Sequence, residues 1–379
     1  MIRNVPSGQF VNVLDAVFGF RKDERTLTFL VDLPDNRVRD SAAWMDRRRI
    51  VIEWYLMLQD QWERLPFSAL TFCVYPNVGT NNGDLPENVL LVEEVTPDGA
   101  VRDTDELPLA EVLKASSVVL APTELSATAP LKVLAKRLGF RGATMPGFSR
   151  AMIPALSLDY QKVNARVVEF QERMNRATGA NVLLSSGGRG FSLFLDLRHR
   201  TAHASGGVIR EPGSVANLPS GEAYIVPYEG EKTGDPSQTE GLLPVQFGSE
   251  VVVFRIAGNR AVAIETAGPE SIRQRNLLTS DPAYGNIAEL GIGVLGEWGV
   301  TAVGSTLLDE KLGVHIAFGR SEHFGGFTGP SNFTSPERVI HVDWVYVPSV
   351  QPKVSVEKLD FVYPDPIAET IMAQGKFVV

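Results

Sequence analysis

Alternating apolar and polar positions mark short strands in the second half of the chain, most clearly at 307–319 and 339–345. Successive side chains of a strand point to opposite faces, so His341 and Asp343 share one face and their apolar neighbours share the other. The same rule places His315 on a face with small glycine and alanine residues. The pattern predicts two imidazoles and a carboxylate on the polar faces of otherwise apolar strands.

The first half of the chain alternates strand-like and helix-like segments. Apolar runs at 26–32, 70–75 and 116–121 predict buried strands, because each is short and is followed by turn residues or a change of period. Good helix formers at 41–63 and 123–138 predict helices between and after them. Strands that alternate with helices are typical of an α/β domain with a mostly parallel sheet. Neither a G-x-G-x-x-G motif nor a Gly-Lys-Ser/Thr loop indicates a nucleotide site there.

A change of pattern near residue 155 predicts a second domain. Residues 156–177 read as a long amphipathic helix, and from Val182 onwards short β-rich runs are separated by Gly, Pro and Ser turns. We therefore predict an α/β domain at 1–155 and an α+β, β-rich domain at 156–379.

The composition of the chain indicates a globular protein, but it does not indicate which reaction the protein catalyses. A chain of 379 residues with 44% hydrophobic and 21% charged residues is typical of a globular protein with two domains. No apolar run approaches a bilayer span, and the first residues lack the apolar core of a secretory signal, so a cytoplasmic protein without a membrane partner is expected. A net charge of −9 argues against nucleic acid as a partner. The single cysteine, Cys73, excludes an internal disulfide framework.

The histidines of the chain are confined to one part of the sequence. There are five, and none of them lies in the first 198 residues. Imidazole and carboxylate together are the ligand set that suits zinc, cobalt, manganese or iron. Clustering in one half is typical of a metal centre in a C-terminal domain. A His-x-Asp strand also occurs at solvent-facing sheet edges, so the alternation alone leaves both interpretations open.

Two glutamates lie among apolar or small residues, where a carboxylate is costly to bury without a cationic partner. Glu222 begins a predicted strand after a Pro-Ser-Gly turn, and Glu289 lies between alanine and leucine. An exposed glutamate at a strand end would give the same local pattern. For each glutamate, the local pattern therefore leaves a buried ligand and an exposed side chain equally open.

Four segments in series, 217–222, 288–293, 309–317 and 341–343, resemble the aminopeptidase T family of metallopeptidases. The resemblance implies a homodimeric exopeptidase that removes N-terminal residues from peptides, with an N-terminal α/β domain and a C-terminal metal-binding domain. It also implies two divalent ions per chain, zinc or cobalt and in some cases manganese, with Glu289 as the bridging ligand. The positions that match the family's ligands are Glu222, Glu289, Glu310, His315, His341 and Asp343.

The chemistry of such a centre agrees with this set of side chains. Two divalent ions need about four negative charges, which the carboxylates supply, and the remaining coordination positions take water. A divalent ion lowers the pKa of a coordinated water towards about 7 and polarises the scissile carbonyl, while the second ion holds the free amine of the substrate. The resemblance also implies that Glu289 and Glu310 are catalytic residues as well as ligands.

The chain departs from the family at one position. The family has a tyrosine seven residues beyond the equivalent of His315, where it stabilises the oxyanion, and this chain has Glu322 there. His323 is our predicted replacement for this donor, since a protonated imidazole also stabilises an oxyanion. Glu322 and His323 could equally indicate a different reaction. Glu322 and Arg198 are predicted to bind substrate, Arg198 because a guanidinium suits a carboxylate.

Two other classes of function stay open. Some relatives of the family resemble mononuclear iron dioxygenases that open dihydroxypyridine rings, and His315, His341 and Asp343 could supply their facial triad. A mononuclear site does not require the three glutamates of the ligand set, whose presence favours the peptidase. The third class is a metal-stabilised binding protein without catalytic activity.

Overall fold

The computed structural model of this chain describes residues 7–95, 101–365 and 367–379. The chain divides into two compact units, the second of which comprises Ala165–Ala204 and Gly221–Val379. This division differs from the predicted boundary near residue 155 in two respects. It falls inside a helix, and the short segment Ser205–Ser220 returns to the first unit.

The described residues form helices and strands throughout. The helices are α1 Ser7–Phe18, α2 Ala42–Asp60, α3 Leu109–Ala115, α4 Thr128–Leu138, α5 Ile153–Leu156, α6 Tyr160–Arg176, α7 Pro269–Ser280 and α8 Thr306–Asp309. The strands are β1 Glu24–Leu33, β2 Phe67–Pro76, β3 Asn88–Val95, β4 Val101–Pro108, β5 Ser116–Ala121, β6 Arg141–Thr144, β7 Gly179–Ser186, β8 Arg189–Asp196, β9 His203–Ser205, β10 Val215–Asn217, β11 Glu222–Ile225, β12 Glu240–Phe247, β13 Glu250–Ala257, β14 Arg260–Ile264, β15 Ile287–Gly293, β16 Val314–Gly319, β17 His341–Val345, β18 Ser355–Val362, β19 Ala368–Ala373 and β20 Lys376–Phe377.

The first unit contains a seven-stranded sheet in the order β10-β6-β5-β1-β2-β3-β4. Its neighbours from β10 to β2 pair in parallel, and β3 and β4 add an antiparallel edge. Leu30, Cys73 and Val119 belong to its apolar core, as near-continuous hydrophobic runs in parallel strands require. The prediction of an α/β unit with a mostly parallel sheet is confirmed. The predicted helix 123–138 begins later, at Thr128, and ends as expected at Gly139, which takes a left-handed conformation with φ 83°.

The second unit contains two sheets. One has eight strands in the order β14-β13-β12-β8-β7-β18-β19-β20, and the other has five in the order β17-β16-β15-β11-β9. Aromatic side chains join them: the ring centroids of Phe254 and Phe318 are 5.1 Å apart, and those of Phe247 and Trp344 are 4.9 Å apart. The five-stranded sheet thus buries its apolar face against the larger sheet and leaves its other face for polar residues.

The segment 307–319 is only partly a strand. Its first residues form the short helix α8 and a 3₁₀ turn at Glu310–Leu312, and the strand begins at Val314. The carboxylate of Asp309 holds the helical turn by accepting hydrogen bonds from the backbone N–H groups of Val303 and Gly304, at 2.8 and 2.9 Å. The prediction of a strand from residue 307 was therefore wrong for its first half, because local side-chain bonding to the backbone overrides the apolar pattern.

Among the described residues, no helix combines the length and the apolar character needed to cross a bilayer.

Candidate metal centre

One face of the five-stranded sheet collects the polar residues of four strands. Neighbouring strands are antiparallel, with Glu222 opposite Gly293 and His315 opposite Gly291. Side chains on alternate positions share a face, so the register brings distant parts of the sequence together. The predicted ligands on this face are Glu222 of β11, Glu289 of β15, His315 of β16, and His341 and Asp343 of β17.

Two glycines of β15 make room on this face. A Cβ on Gly291 would lie 1.9 Å from Nε2 of His315, so the imidazole crosses the strand where a side chain is missing. A Cβ on Gly293 would lie 2.1 Å from the carbonyl carbon of Lys311, so the turn that precedes β16 rests directly on the strand. The glycines therefore serve close approach, one of a side chain and the other of the backbone.

The carboxylate of Glu289 lies at the centre of the cluster. Its Oε1 is 3.2 Å from Nε2 of His315, and its Oε2 is 3.3 Å from Nε2 of His341. Burial alone would raise the pKa of Glu289, but the hydrogen bonds and charges of the two imidazoles hold it well below its usual value. One glutamate thus contacts both histidines through separate oxygens.

The ligand atoms form two groups that share this glutamate. One group is Glu222, Glu289 and His315, the other is Glu289, His341 and Asp343, and the ligand atoms of each lie within 4.8 Å of one another. Oε2 of Glu222 is buried and has no hydrogen-bond partner, which is costly for a carboxylate oxygen. Imidazole and carboxylate donors with a buried, unsatisfied oxygen fit a divalent cation.

Protonated His315 and His341 would oppose the binding of a metal ion to the cluster. Burial alone would lower the pKa of His315, but its hydrogen bond to Glu289 and the charge of Glu222 raise it to about 9. Burial likewise opposes a charge on His341, whereas Asp343 and Glu289 raise its pKa well above the usual value. A metal ion must displace these protons, because it binds neutral imidazole.

Glu310 lies next to the cluster but in neither ligand group. Its carboxylate contacts Nζ of Lys311, and the same ammonium contacts Oε1 of Glu222. Burial opposes a charge on Lys311, but the two carboxylates raise its pKa above the usual value. The role of Glu310 as a ligand stays a prediction. Sequence reasoning missed Lys311, although a lysine inside an apolar run beside a candidate ligand was a signal for it.

Tyr224 was also missed. It lies two positions after Glu222 on the same strand, so the two side chains share the polar face. Its ring stacks on His203 at 5.1 Å between centroids and meets Phe324 edge-on at 4.9 Å. Alternation from Glu222 would have placed this phenol beside the predicted ligands. His203 in turn contacts the backbone oxygen of Phe324 through Nε2, at 2.9 Å.

Glu322 and His323, at the position where the aminopeptidase T family has its tyrosine, lie beside the candidate ligand His341. The ring of His323 is 5.5 Å from that of His341 and 3.8 Å from that of Phe324, between centroids. Glu322 accepts from Nε of Arg320 at 2.8 Å, so that guanidinium already neutralises its carboxylate. His323 is therefore placed near the cluster, but burial and the charges of His341 and Arg320 lower its pKa to about 4, which disfavours the protonated imidazole that the sequence predicted. Its catalytic role and the substrate role of Glu322 stay predictions.

Arg198 belongs to neither ligand group. Its guanidinium is 2.7 Å from the carboxylate of Asp196 and 2.8 Å from that of Asp235. His199 contacts the other oxygen of Asp235, at 2.9 Å. A substrate carboxylate would have to compete with these two aspartates, and the substrate role of Arg198 stays a prediction.

The fold has relatives among solved structures, although no protein-family model and no curated protein sequence matches the chain. A 2,5-dihydroxypyridine dioxygenase from Pseudomonas putida is similar with a TM-score of 0.60 and 15% identity, over 98% of this chain and 96% of that one. Wild-type AmpT from Thermus thermophilus is similar with a TM-score of 0.57 and 15% identity, over 98% of this chain and 99% of that one. At this identity the likeness shows a distant relationship of fold, and it includes both an aminopeptidase and a dioxygenase.

Proposed function

We propose that this chain is a metal-dependent hydrolase that removes the N-terminal residue of peptides. The observation that carries the proposal is the position of Glu289, whose two oxygens reach His315 and His341 and join the two ligand groups. A carboxylate shared in this way is suited to a catalytic metal centre, and the likeness to AmpT supports peptides as the substrate class.

The candidate ligands would bind a metal ion, and the ion would supply the chemistry of the reaction. Glu289, His341 and Asp343 would hold a divalent ion, and Glu222 and His315 offer further donors beside them. A bound zinc, cobalt or manganese ion supplies Lewis acidity and lowers the pKa of water. The resemblance implies a homodimer, which stays part of the proposal, and two ions per chain, a number that an ion count on the purified protein must test.

The phenol of Tyr224 is our candidate for the donor that the family carries seven positions beyond His315. It is half-buried on the same face as Glu222, and no hydrogen-bond acceptor engages its hydroxyl among the described residues. A hydrogen bond from a phenol stabilises negative charge that develops on a carbonyl oxygen. His323, which lies near His341, is the alternative donor that the sequence predicted.

The test is turnover of aminoacyl amides and short peptides by protein loaded with zinc, cobalt or manganese. We expect release of the N-terminal residue, and a loss of roughly 100-fold or more in kcat/KM for His341→Ala, since a lost ligand removes transition-state stabilisation. Glu240→Gln is the matched control, because Glu240 is an exposed strand residue outside the cluster. Metal-loaded, folded protein that turns over no member of the panel would reject the peptidase proposal.

A second candidate is a ring-cleaving dioxygenase with one iron. It is favoured by the aromatic side chains beside the cluster, where Tyr224, Phe324 and His203 form a half-buried wall that suits a planar ring. The likeness to the dihydroxypyridine dioxygenase supports the same substrate class. Consumption of dioxygen by ferrous-loaded protein with a dihydroxypyridine, together with no peptide turnover, would select this candidate.

A further inference from the structure

We propose that the ammonium group of Lys311 takes the place of a second metal ion between Glu222 and Glu310, so that each chain loads a single divalent ion. The inference rests on the proposed metal centre and specifies how many ions it holds. It departs from the two ions that the family resemblance implies.

The first observation is the position of the ammonium. Nζ of Lys311 contacts Oε1 of Glu222 and Oε1 of Glu310, two of the carboxylates that the resemblance assigns to metal. The lysine side chain is 1% exposed, and the two carboxylates are 9% and 13% exposed. Buried carboxylates this close need a cation, and here the chain supplies its own.

The second observation is that the fold fixes this lysine in place through its backbone. Gly293 pairs with Glu222 across β11 and β15, and the backbone of Lys311 lies against Gly293 at a distance that only glycine permits. The ammonium therefore starts from a main-chain position directly over the strand pair that carries Glu222. It is part of the architecture of the sheet and not a long side chain that reaches in from the surface.

The third observation is that, in the part of the chain that the structure describes, Lys311 makes no polar contact with the second ligand group, which consists of Glu289, His341 and Asp343. No hydrogen bond or ion pair joins Lys311 to Glu289, His341 or Asp343 among the described residues. A divalent ion beside Glu222 would meet a fixed positive charge already bound to that carboxylate, whereas an ion at the other group would not. We therefore place the single ion at Glu289, His341 and Asp343, with His315 next to it.

The experiment counts ions in the full-length, metal-free protein by titration calorimetry and by equilibrium dialysis with zinc. We expect one ion per chain in the wild type and in Lys311→Arg, which keeps the positive charge. We expect two ions per chain in Lys311→Met, which keeps the length of the side chain and removes the charge. Thermal unfolding of each variant reports whether it is folded, and the wild-type count tests the inference even if Lys311→Met does not fold.

The outcomes separate this inference from the proposed function. Two ions per wild-type chain, or one ion in a folded Lys311→Met, would overturn the inference and leave a metal-dependent enzyme standing. One zinc ion per wild-type chain and two per Lys311→Met chain, with no peptide turnover, would support the inference and reject the peptidase. Absence of zinc binding in every variant would overturn both.

Discussion

At the scale of single residues, Glu289 carries more of the site than any other side chain. It is the member common to both ligand groups, and it is buried between two imidazoles. A buried carboxylate is stabilised only when positive charge or hydrogen-bond donors surround it. In the metal-free protein, His315 and His341 provide that stabilisation, and a bound ion would replace it.

Glu289→Gln should therefore weaken metal binding strongly while it preserves the shape of the side chain. An amide is a poor ligand for zinc, and it can contribute only its neutral oxygen, so we expect a loss of affinity of roughly 100-fold or more. Titration calorimetry with zinc measures the change, and Glu240→Gln should bind as the wild type does. An unaltered dissociation constant for Glu289→Gln would show that this carboxylate is not a ligand.

At the scale of secondary structure, the candidate centre depends on strand β15, which contributes one candidate ligand and two glycines to the same face. Alternation puts Glu289, Gly291 and Gly293 in a row, so the strand offers a carboxylate and then two positions without side chains. The imidazole of His315 occupies the space over Gly291. The imidazole of His315 on β16 thus takes its position because Gly291 on the neighbouring strand β15 has no side chain.

Gly291→Ala should displace His315 and reduce both stability and metal affinity. The new methyl group would overlap the imidazole, and overpacking of a buried site typically costs about 1–3 kcal/mol of unfolding free energy. Gly190→Ala is the matched control, since Gly190 is a strand glycine with no atom within 4 Å of the added Cβ. Chemical denaturation and zinc titration measure the two effects. Equal behaviour of the two variants would contradict this account of the glycine.

At the scale of the whole molecule, every candidate ligand lies in the second unit. Folding of this unit gathers Glu222, Glu289 and Asp343 from separate strands, and such carboxylates repel one another when no cation is present. Metal binding should therefore be linked to the stability of this unit. An ion present at about 100 times its dissociation constant adds roughly 2.7 kcal/mol to the free energy of unfolding.

We predict that removing the metal with a chelator lowers the melting temperature, and that the difference grows as the pH rises from 6.5 to 9. The pKa of His315 is raised from 6.5 to about 9 in the metal-free fold. Its proton therefore stabilises the metal-free protein fully below pH 6.5, and this contribution is lost as the pH rises through 9. The metal-bound form needs neutral imidazole and gains affinity over the same window.

Calorimetric melting of loaded and metal-free protein at several pH values measures this difference directly. His315→Gln removes one of the two imidazoles whose pKa is raised, so the pH dependence of the difference should become smaller, while the contribution of His341 remains. A difference in melting temperature that is constant from pH 6.5 to 9 in the wild type would contradict the assignment of the proton to His315.

The sequence by itself determined the class of the first unit and several of the candidate ligands, but not every element or every side chain near them. Apolar runs followed by helical periods were sufficient to predict the parallel sheet of the first unit, because burial on both faces leaves a continuous hydrophobic signal. Strict alternation placed His341 and Asp343 on one face, since the period of a strand does not depend on its neighbours. For Glu222 and Glu289, the local pattern left a buried ligand and an exposed side chain equally open, and the family resemblance singled them out.

Only the tertiary structure decided which of these residues meet and what else meets them. The register of the sheet places Gly291 and Gly293 under His315 and Lys311, and register is a long-range property that no local pattern encodes. The turn before β16 is a local feature, since Asp309 bonds to backbone groups five and six residues earlier in the chain, and it needed no tertiary contact. Sequence position indicated that Lys311 and Tyr224 lie near candidate ligands, but only the fold brings the ammonium of Lys311 onto Glu222, 89 residues away in the chain.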